Sequence, residues 1–242
     1  MHIPRLYIDQ QLKLERSIVL PEKASHHIQH VLRSKAGSPL IIFNGLGGEY
    51  HATISKITRR DVELSINSFD DIDRESGLNI TLAIGILKRD AMNASIQKAV
   101  ELGVRHIVPI ESTNTAVSRK QYEKRTINWL QIIQSACEQG GRTALPSLSA
   151  SRQFDEWLVQ ENFDGQLTLF PSRLSKTLLR DISVTPKSIC LIVGPEGGMT
   201  IEEEALASEQ GFTSVSFGRR ILRAETAPAA LLALMQYRWG DL

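Results

Sequence analysis

The sequence predicts an α/β protein in two parts: a small β-rich domain at 1–72, and a larger domain at 78–242 in which strands and helices alternate. Three observations support this prediction. Apolar and polar residues alternate with a period of two at 49–54 and 61–66, which is typical of half-buried strands. The acidic segment 70–77 lacks that pattern and indicates a linker. Beyond it, apolar runs of strand length alternate with segments of helical periodicity, which favours a mostly parallel sheet with helices on both faces.

The N-terminal domain is predicted to be a small β-barrel with one short helix near 22–33. Its first clear turn is 43–48, where glycines allow the positive φ angles that a tight turn needs. The turn between the two alternating strands carries Lys56, Arg59 and Arg60, so positive charge is concentrated there.

The larger domain is predicted from apolar runs and helical periodicity. Strands are expected at 80–87, 106–110, 166–170, 188–193 and 213–217, and helices at 90–102, 120–139, 173–181, 201–210 and 226–239. In the first of these helices Met92, Ile96 and Ala99 recur at helical spacing and predict one buried face. The continuous apolar run 189–193 is typical of a strand buried on both faces of a parallel sheet.

Composition excludes several classes of protein. The chain has 28 basic and 27 acidic residues, so any positive charge that attracts nucleic acid must be local. Cys137 and Cys190 form no metal or disulfide pattern, and their apolar surroundings favour buried side chains in a reducing compartment. No secretion signal is evident, and the longest apolar run, 227–235, is too short to span a bilayer. We therefore expect a soluble cytoplasmic protein without a membrane partner.

Two glycine-containing loops each follow a predicted strand and precede a predicted helix. The first is Gly194-Pro195-Glu196-Gly197-Gly198, and the second is 217–227. Ligands of α/β proteins bind where such loops leave the carboxyl ends of strands. The first loop could equally be a tight turn, and the second a solvated connection. Ile221 and Leu222 favour a packed site, because apolar residues inside a loop usually contact something.

The helix after the first loop argues against a phosphate ligand. Thr200 begins a capping pattern, and 202–204 are three glutamates in the first turn, so this helix end is already capped and acidic. The chain has no P-loop sequence, and Tyr50 stands where a dinucleotide fingerprint beginning at Gly45 would need its last glycine. A nucleotide-dependent oxidoreductase is therefore disfavoured. A ligand with adenine, ribose and a cationic centre fits better, and S-adenosylmethionine is such a ligand.

The two loops resemble those of the RsmE family of SPOUT methyltransferases. The resemblance extends from Pro4 to Leu242 and includes Arg5, the segments 26–33 and 97–104, Glu138-Gln139 with Arg142, and both loops. It implies a PUA-like β-barrel followed by a SPOUT domain whose C-terminal segment forms a trefoil knot. It also implies S-adenosylmethionine as cofactor, and a homodimer that methylates N3 of a uridine in 16S ribosomal RNA, within the small ribosomal subunit.

The resemblance also implies roles for particular residues. The implied cofactor site consists of Leu169, Phe170, Pro171, Gly194, Glu196, Gly197, Gly198, Phe217, Gly218, Ile221, Leu222 and Arg223. The implied RNA contacts are Arg5, His26, His27, Arg33, Lys88, Arg89 and Arg142. The catalytic hypothesis is that Arg220 or Arg223 stabilises the anion that forms when N3 is deprotonated, with Glu225 or solvent as the base.

No metal is expected, because the cofactor brings an activated methyl group. His26 and His30 are four residues apart, a spacing that can hold zinc, but no third ligand is evident beyond a possible His51.

Some positions depart from the family pattern. These are Asn93, where an acidic residue is common, Thr113-Asn114 in place of a Glu-Arg pair, Gly140 in place of Ser or Cys, and Ala224 in place of Thr. They motivate an alternative, a non-catalytic RNA-binding protein that keeps the barrel. A third alternative is a methyltransferase that acts on transfer RNA or on a ribose hydroxyl. The barrel and the segment 221–226 favour the base-methylating branch.

Overall fold

The structure, a computed structural model, describes residues 3–242 and divides into two compact units. The N-terminal unit is Met1–Glu75 together with Gln134–Leu145. The C-terminal unit is Ser76–Ile133 together with Pro146–Leu242. The sequence does not predict that 134–145 belongs with the N-terminal unit, because that segment continues a helix that begins in the other unit.

The N-terminal unit contains one five-stranded sheet. Its strands are β1 (Arg5–Tyr7), β2 (Ser17–Val19), β3 (Pro39–Phe43), β4 (Glu49–Ile57) and β5 (Val62–Asp70), in the order β1-β3-β4-β5-β2. The first pair is parallel and the others are antiparallel. The short helix α1 (Glu22–His26) continues as a π-helical turn over His27–Val31, where a helix is predicted.

The alternation that predicts β5 gives this unit its core. Val62, Leu64 and Ile66 are buried, and the polar residues between them are not. They pack with Ile28 of the π-helical turn and Leu40 of β3 in one apolar cluster. The sheet thus buries one face, as a period of two requires.

The C-terminal unit contains a parallel sheet. Its strands are β6 (Asn79–Gly85), β7 (His106–Glu111), β8 (Ser147–Leu148), β9 (Arg152–Gln153), β10 (Leu167–Pro171), β11 (Ser188–Val193) and β12 (Thr213–Val215). The order is β12-β10-β11-β6-β7-β8, with β9 also paired to β7, and every pair is parallel. This confirms the predicted mixed α/β fold class.

Helices connect these strands. They are α2 (Arg89–Glu101), α3 (Arg119–Glu123), α4 (Thr126–Gly140), α5 (Phe154–Gln160), α6 (Ile201–Glu209) and α7 (Thr226–Trp239). The chain runs outward from β6 to β7 and later returns to place β11 on the other side of β6. Such a switch in strand order opens a crevice at the carboxyl ends of the strands.

The helix predicted at 173–181 is absent, apart from a 3-10 turn at Leu179–Asp181. Ser172 and Ser175 instead accept hydrogen bonds from the backbone N–H groups two residues further on. Such local bonds give the backbone an alternative to a helix. Among the described residues, no helix has both the length and the apolar character needed to cross a bilayer.

Candidate active site

A cleft of about 360 Å³ lies at the carboxyl ends of three neighbouring parallel strands, β10, β11 and β12. Both glycine-containing loops line it, together with the residues that follow β10. Its volume falls within the range of small-molecule sites, and its position is the one that open α/β sheets use for ligands. The two loops singled out in the sequence therefore share one cleft.

The first loop is a tight turn that also faces this cleft. The backbone N–H of Gly198 donates to the carbonyl of Pro195 at 2.8 Å, and Gly198 has a φ of +74°. Only glycine adopts such a φ readily. Gly85, at the end of β6, lies against the backbone of Pro195, and a side chain there would collide with it. Close backbone packing thus fixes the start of the loop.

Two other loops hold the first loop. The carboxylate of Glu196 accepts a hydrogen bond from the backbone N–H of Lys88 at 2.8 Å, just before α2. In addition, the side-chain amide of Asn114, from the connection after β7, donates to the carbonyls of Gly197 at 3.3 Å and Gly198 at 3.0 Å. The loop is therefore constrained by residues that do not themselves line the cleft.

The capping pattern predicted for α6 is present. Thr200 Oγ1 accepts from the Glu203 N–H at 3.1 Å, and Glu203 Oε2 accepts from the Thr200 N–H at 2.9 Å. The second oxygen of Glu203 accepts from the Thr113 N–H at 2.8 Å. The first turn of α6 is thus occupied by the protein's own carboxylate, which leaves little room for an anionic ligand.

The second loop is solvent-exposed around its arginines. The Arg223 side chain is 85% exposed, and its nearest acidic oxygen is on Glu225, 3.9 Å away. Glu225 immediately precedes α7 but makes no side-chain capping bond to it. The Glu225 carboxylate is therefore not used as a helix cap.

The cleft includes most of the residues implied for the cofactor. The implied residues that line it are Pro171, Gly194, Glu196, Gly197, Gly198, Phe217, Gly218, Ile221 and Leu222, together with Arg220 from the catalytic hypothesis. Leu169 and Phe170 are buried within β10, and neither they nor Arg223 and Glu225 are among the lining residues.

Further lining residues were not identified from the sequence: Ser172, Arg173, Leu174, Met199 and Glu204. Ser172 Oγ donates to Glu204 Oε2 at 2.7 Å, which ties the segment after β10 to α6. Their only sequence signal is their position, because each directly follows a predicted strand or flanks a glycine-containing loop.

Known proteins resemble this chain over its whole length. Residues 74–236 match the model of the RNA methyltransferase domain, and residues 20–67 match that of the RNA methyltransferase PUA domain. The ribosomal RNA small subunit methyltransferase E of Buchnera aphidicola subsp. Schizaphis graminum is 32% identical, over 99% of this chain and 98% of the relative. This chain belongs to that methyltransferase family.

Two solved structures extend this family comparison. The Neisseria gonorrhoeae ribosomal RNA small subunit methyltransferase E, bound to S-adenosyl methionine, is 37% identical with a TM-score of 0.93, and each chain is covered completely. A Legionella pneumophila protein, in complex with the bound cofactor SAM, is 34% identical with a TM-score of 0.95, again over both whole chains.

Two of the residues that the family resemblance implies for RNA are buried in the N-terminal unit. Arg5 forms an ion pair with Glu49, and Arg142 forms one with Glu75. All four side chains are almost completely buried, and Arg5 also donates to the Arg142 carbonyl at 3.1 Å. Arg74 donates to Glu49 at 2.8 Å and completes the network. These contacts stabilise the unit whatever else the arginines do.

Other implied RNA contacts are accessible. His26, Arg33, Lys88 and Arg89 are exposed, and His27 is half-buried. A separate cleft of about 800 Å³ in the N-terminal unit is lined by Glu22, Lys23, His26, Gln29, His30, Arg59, Arg60 and Asp61. The sequence predicts the charge at Arg59 and Arg60 but not this cleft, because most of the other lining residues lie about 30 residues earlier in the chain.

Among the described residues, one triad has the spacing of metal ligands: Glu49, His51 and Asp70. Arg5 and Arg74 both contact Glu49, so their positive charge opposes a cation at this position.

Proposed function

We propose that this chain is an S-adenosylmethionine-dependent methyltransferase that methylates N3 of a uridine in 16S ribosomal RNA, and that it acts in the cytoplasm. The cleft where the two glycine-containing loops meet is the observation that carries the proposal. Support comes from membership of a family in which the Neisseria gonorrhoeae protein was solved with this cofactor. The trefoil knot that the resemblance implies stays a prediction.

The chemistry of the cleft fits the cofactor. Backbone groups of Gly194 and Gly197 can meet an adenine edge, and Ile221 and Leu222 offer an apolar wall. The carboxylates of Glu196 and Glu204 also line the cleft and can interact with a cationic sulfonium, and Arg173 and Arg220 line it as well. When bound, the cofactor supplies a methyl group that is already activated for transfer, so no metal is required.

The chain's own residues must supply positioning and charge. N3 of uracil carries a proton and becomes nucleophilic only when that proton leaves. Arg220 lines the cleft, and we assign it or Arg223 to the stabilisation of the negative charge on O2 or O4. Glu225 has no capping bond and can accept the proton directly or through water.

Replacing Arg223 by alanine tests this assignment. We expect the turnover number to fall by about 10²- to 10³-fold, the usual effect of removing one donor to a developing anion. The affinity for S-adenosylmethionine should stay unchanged, because Arg223 is not among the residues that line the cleft. Arg219→Ala is the matched control, since Arg219 is an exposed neighbour that is not among the lining residues. Wild-type turnover in Arg223→Ala would remove this residue from the catalytic hypothesis.

RNA contact is assigned to accessible basic residues in both units. Lys88 and Arg89 lie directly after β6 in the C-terminal unit, at the carboxyl edge of the sheet. His26, His27 and Arg33 lie in the N-terminal unit, where Lys23, Arg59 and Arg60 add charge beside His26. Phosphate contacts of this kind position RNA, while base contacts decide sequence.

A homodimer is part of the proposal. Helix α7 presents an exposed apolar face, with Leu234 44% exposed and Tyr237 76% exposed. Ala230, one turn before Leu234, continues this face. Helix α7 begins directly after the second loop. The residues of this apolar face therefore follow the residues of the site closely in the sequence.

The decisive experiment uses small ribosomal subunits from cells that lack this gene. Purified protein and S-adenosylmethionine are added, and the digested RNA is analysed by nucleoside mass spectrometry. New 3-methyluridine supports the enzyme, the cofactor and the target together. If the protein binds the cofactor but forms no 3-methyluridine, the alternative of a non-catalytic protein or of another RNA substrate is favoured.

A further inference from the structure

Asn114 lies in the connection between β7 and α3 and is not among the residues that line the cleft. Its side-chain amide nevertheless donates to two consecutive carbonyls of the first glycine-containing loop, those of Gly197 and Gly198. A primary amide can donate two hydrogen bonds, and an aspartate of the same shape can donate none when ionised. The contact therefore depends on the amide.

Gly197 leaves the space that the Asn114 side chain occupies. A Cβ atom on Gly197 would lie 2.7 Å from the Cβ of Asn114 and 3.3 Å from its Cγ. Gly197 does not have a positive φ, in contrast to Gly198. The absence of a side chain at Gly197 is thus required by Asn114, and not by the backbone conformation of the loop.

The adjacent residue extends the same contact. The Thr113 N–H donates to Glu203, whose carboxylate also closes the cap of α6 with Thr200. Earlier in the same segment, the Glu196 carboxylate accepts a hydrogen bond from the Lys88 N–H. The segment 196–203 is therefore held at both ends and in the middle by groups outside the cleft.

We propose that Asn114 is a positioning residue that orders the first glycine-containing loop before the cofactor binds. The inference rests on the proposed function, because it assigns the loop to S-adenosylmethionine. A glycine-containing loop loses much conformational entropy when a ligand fixes it. Asn114 holds two loop carbonyls in place in the free protein, so the loop loses less conformational entropy when the cofactor binds. The affinity for the cofactor is higher as a result.

The proposal gives a physical account of one departure from the family pattern. Thr113 and Asn114 stand where a Glu-Arg pair is usual, and this departure motivates the non-catalytic alternative. In the structure both residues have defined partners. The Thr113 N–H donates to the Glu203 carboxylate, and the Asn114 side-chain amide donates to two loop carbonyls. The departure is therefore compatible with a working cofactor loop.

The first test measures the affinity for S-adenosylmethionine by titration calorimetry on the full chain. Asn114→Ala should raise the dissociation constant by about 3- to 10-fold, the size expected for the net loss of a hydrogen bond. Asn114→Asp should bind more weakly still, because its carboxylate would face two carbonyl oxygens. Asn162→Ala is the matched control, since Asn162 is an exposed loop residue whose side chain also bonds to the backbone, in that case of Asp164.

The second test does not depend on the cofactor. Hydrogen–deuterium exchange of the free protein should be faster at 194–200 in Asn114→Ala than in the wild type, and unchanged in Asn162→Ala. Equal exchange in the wild type and Asn114→Ala would overturn the inference even if the chain binds no S-adenosylmethionine, an outcome that would itself count against the proposed function.

The third test is a double-mutant cycle. Gly197→Ala should displace Asn114 and weaken cofactor binding, whereas Gly197→Ala combined with Asn114→Gly removes the collision. The double variant should therefore bind no more weakly than Asn114→Gly alone, and the two sites should show strong coupling. Additive effects would overturn the inference. So would an Asn114→Ala variant with wild-type cofactor affinity and a raised KM for RNA, which would instead make Asn114 a substrate contact.

Discussion

Charged side chains inside the N-terminal unit are matched in pairs. Burial raises the pKa of the Glu49 carboxyl, but the hydrogen bonds from Arg74 and Arg5 outweigh burial, so its pKa lies below the usual value. Its side chain is only 3% exposed, so breaking its ion pairs should change the stability of the protein far more than breaking an ion pair on the surface. Glu49 is therefore an anion that the fold requires.

Glu49→Gln should destabilise the protein by about 3–5 kcal/mol, the usual cost of removing one partner from a buried ion pair. Because the folded-state pKa of Glu49 is lowered, its contribution is complete above the unfolded-state pKa and is lost as the pH falls through the folded-state pKa. Urea unfolding between pH 3 and pH 7, about the range in which carboxyl groups titrate, should therefore show a weaker acid dependence in the variant. Glu123→Gln is the control, because Glu123 forms an exposed pair with Arg119 and should change stability by less than about 1 kcal/mol.

The half-buried carboxyl of Glu138 behaves in the opposite way. Burial raises the pKa of Glu138, although the Tyr7 N–H donates to it at 2.9 Å and His27 and Lys23 lower the pKa. Ionised Glu138 is therefore less favourable in the folded state than in the unfolded state. Glu138→Gln keeps an oxygen acceptor for Tyr7 and removes the charge.

We expect Glu138→Gln to be more stable than the wild type at pH 7, and the advantage to disappear as the pH falls below the unfolded-state pKa, where both carboxyl forms are neutral. Chemical denaturation at pH 4 and pH 7 measures this difference. Glu138→Ala should lose stability at both pH values, since the Tyr7 N–H then has no acceptor from this side chain. A Glu138→Gln variant that loses as much stability as Glu138→Ala would show that the negative charge itself is needed.

At the scale of loops, strands and helices, the first glycine-containing loop is a tight turn that also lines the cleft. Gly198→Val would add a strained left-handed residue, at a cost of about 1–2 kcal/mol, and also place bulk beside the cleft. Gly37→Val is a matched control, because Gly37 has a φ of +86° and equally open surroundings, but lies in the N-terminal unit. Both variants should lose similar stability, and only Gly198→Val should lose affinity for S-adenosylmethionine. Unchanged affinity would contradict the placement of the cofactor.

Local sequence patterns predict those elements whose stability depends on residues close together in the chain. The capping residues Thr200 and Glu203, the alternation in β5 and the apolar run of β11 each correspond to the structure. Helix α5 is missed, although Phe154, Trp157 and Leu158 have helical spacing, because the segment is only seven residues long. The predicted helix at 120–139 is divided into α3 and α4 around Arg125, whose N–H bonds to the Tyr122 carbonyl in a turn.

The parts that sequence does not predict depend on distant partners. The family resemblance places Arg5 and Arg142 among the RNA contacts, but their partners Glu49 and Glu75 are 44 and 67 residues away along the chain. Likewise, no local pattern predicts that Asn114 contacts Gly197, 83 residues later. The loops of the cleft can be predicted because glycines mark tight turns in the local sequence. The residues that hold these loops cannot be predicted in this way, because they lie far away along the chain.

At the scale of the whole molecule, net charge does not explain RNA binding. The chain carries a formal charge of +1, so attraction to a polyanion must come from exposed clusters such as Lys23, Arg59 and Arg60, or Lys88 and Arg89. Interactions between exposed charges are screened within about 10 Å at ordinary salt concentrations. Each cluster therefore interacts only with RNA phosphates close to it. These contacts affect how the RNA is oriented on the protein more than how strongly the whole chain attracts it.

Assembly is the remaining whole-molecule property that the structure makes testable. If the exposed face of α7 joins two copies, the wild type should have twice the 27.0 kDa chain mass in light scattering coupled to size exclusion. Tyr237→Glu places a charge on this face and should give a monomer, since an unpaired charge is costly to bury in an interface. Val159→Glu makes a comparable change at an exposed apolar residue of α5 and should remain dimeric. A Tyr237→Glu protein of unchanged mass would move the proposed interface away from α7, and a monomeric wild type would remove the homodimer from the proposal.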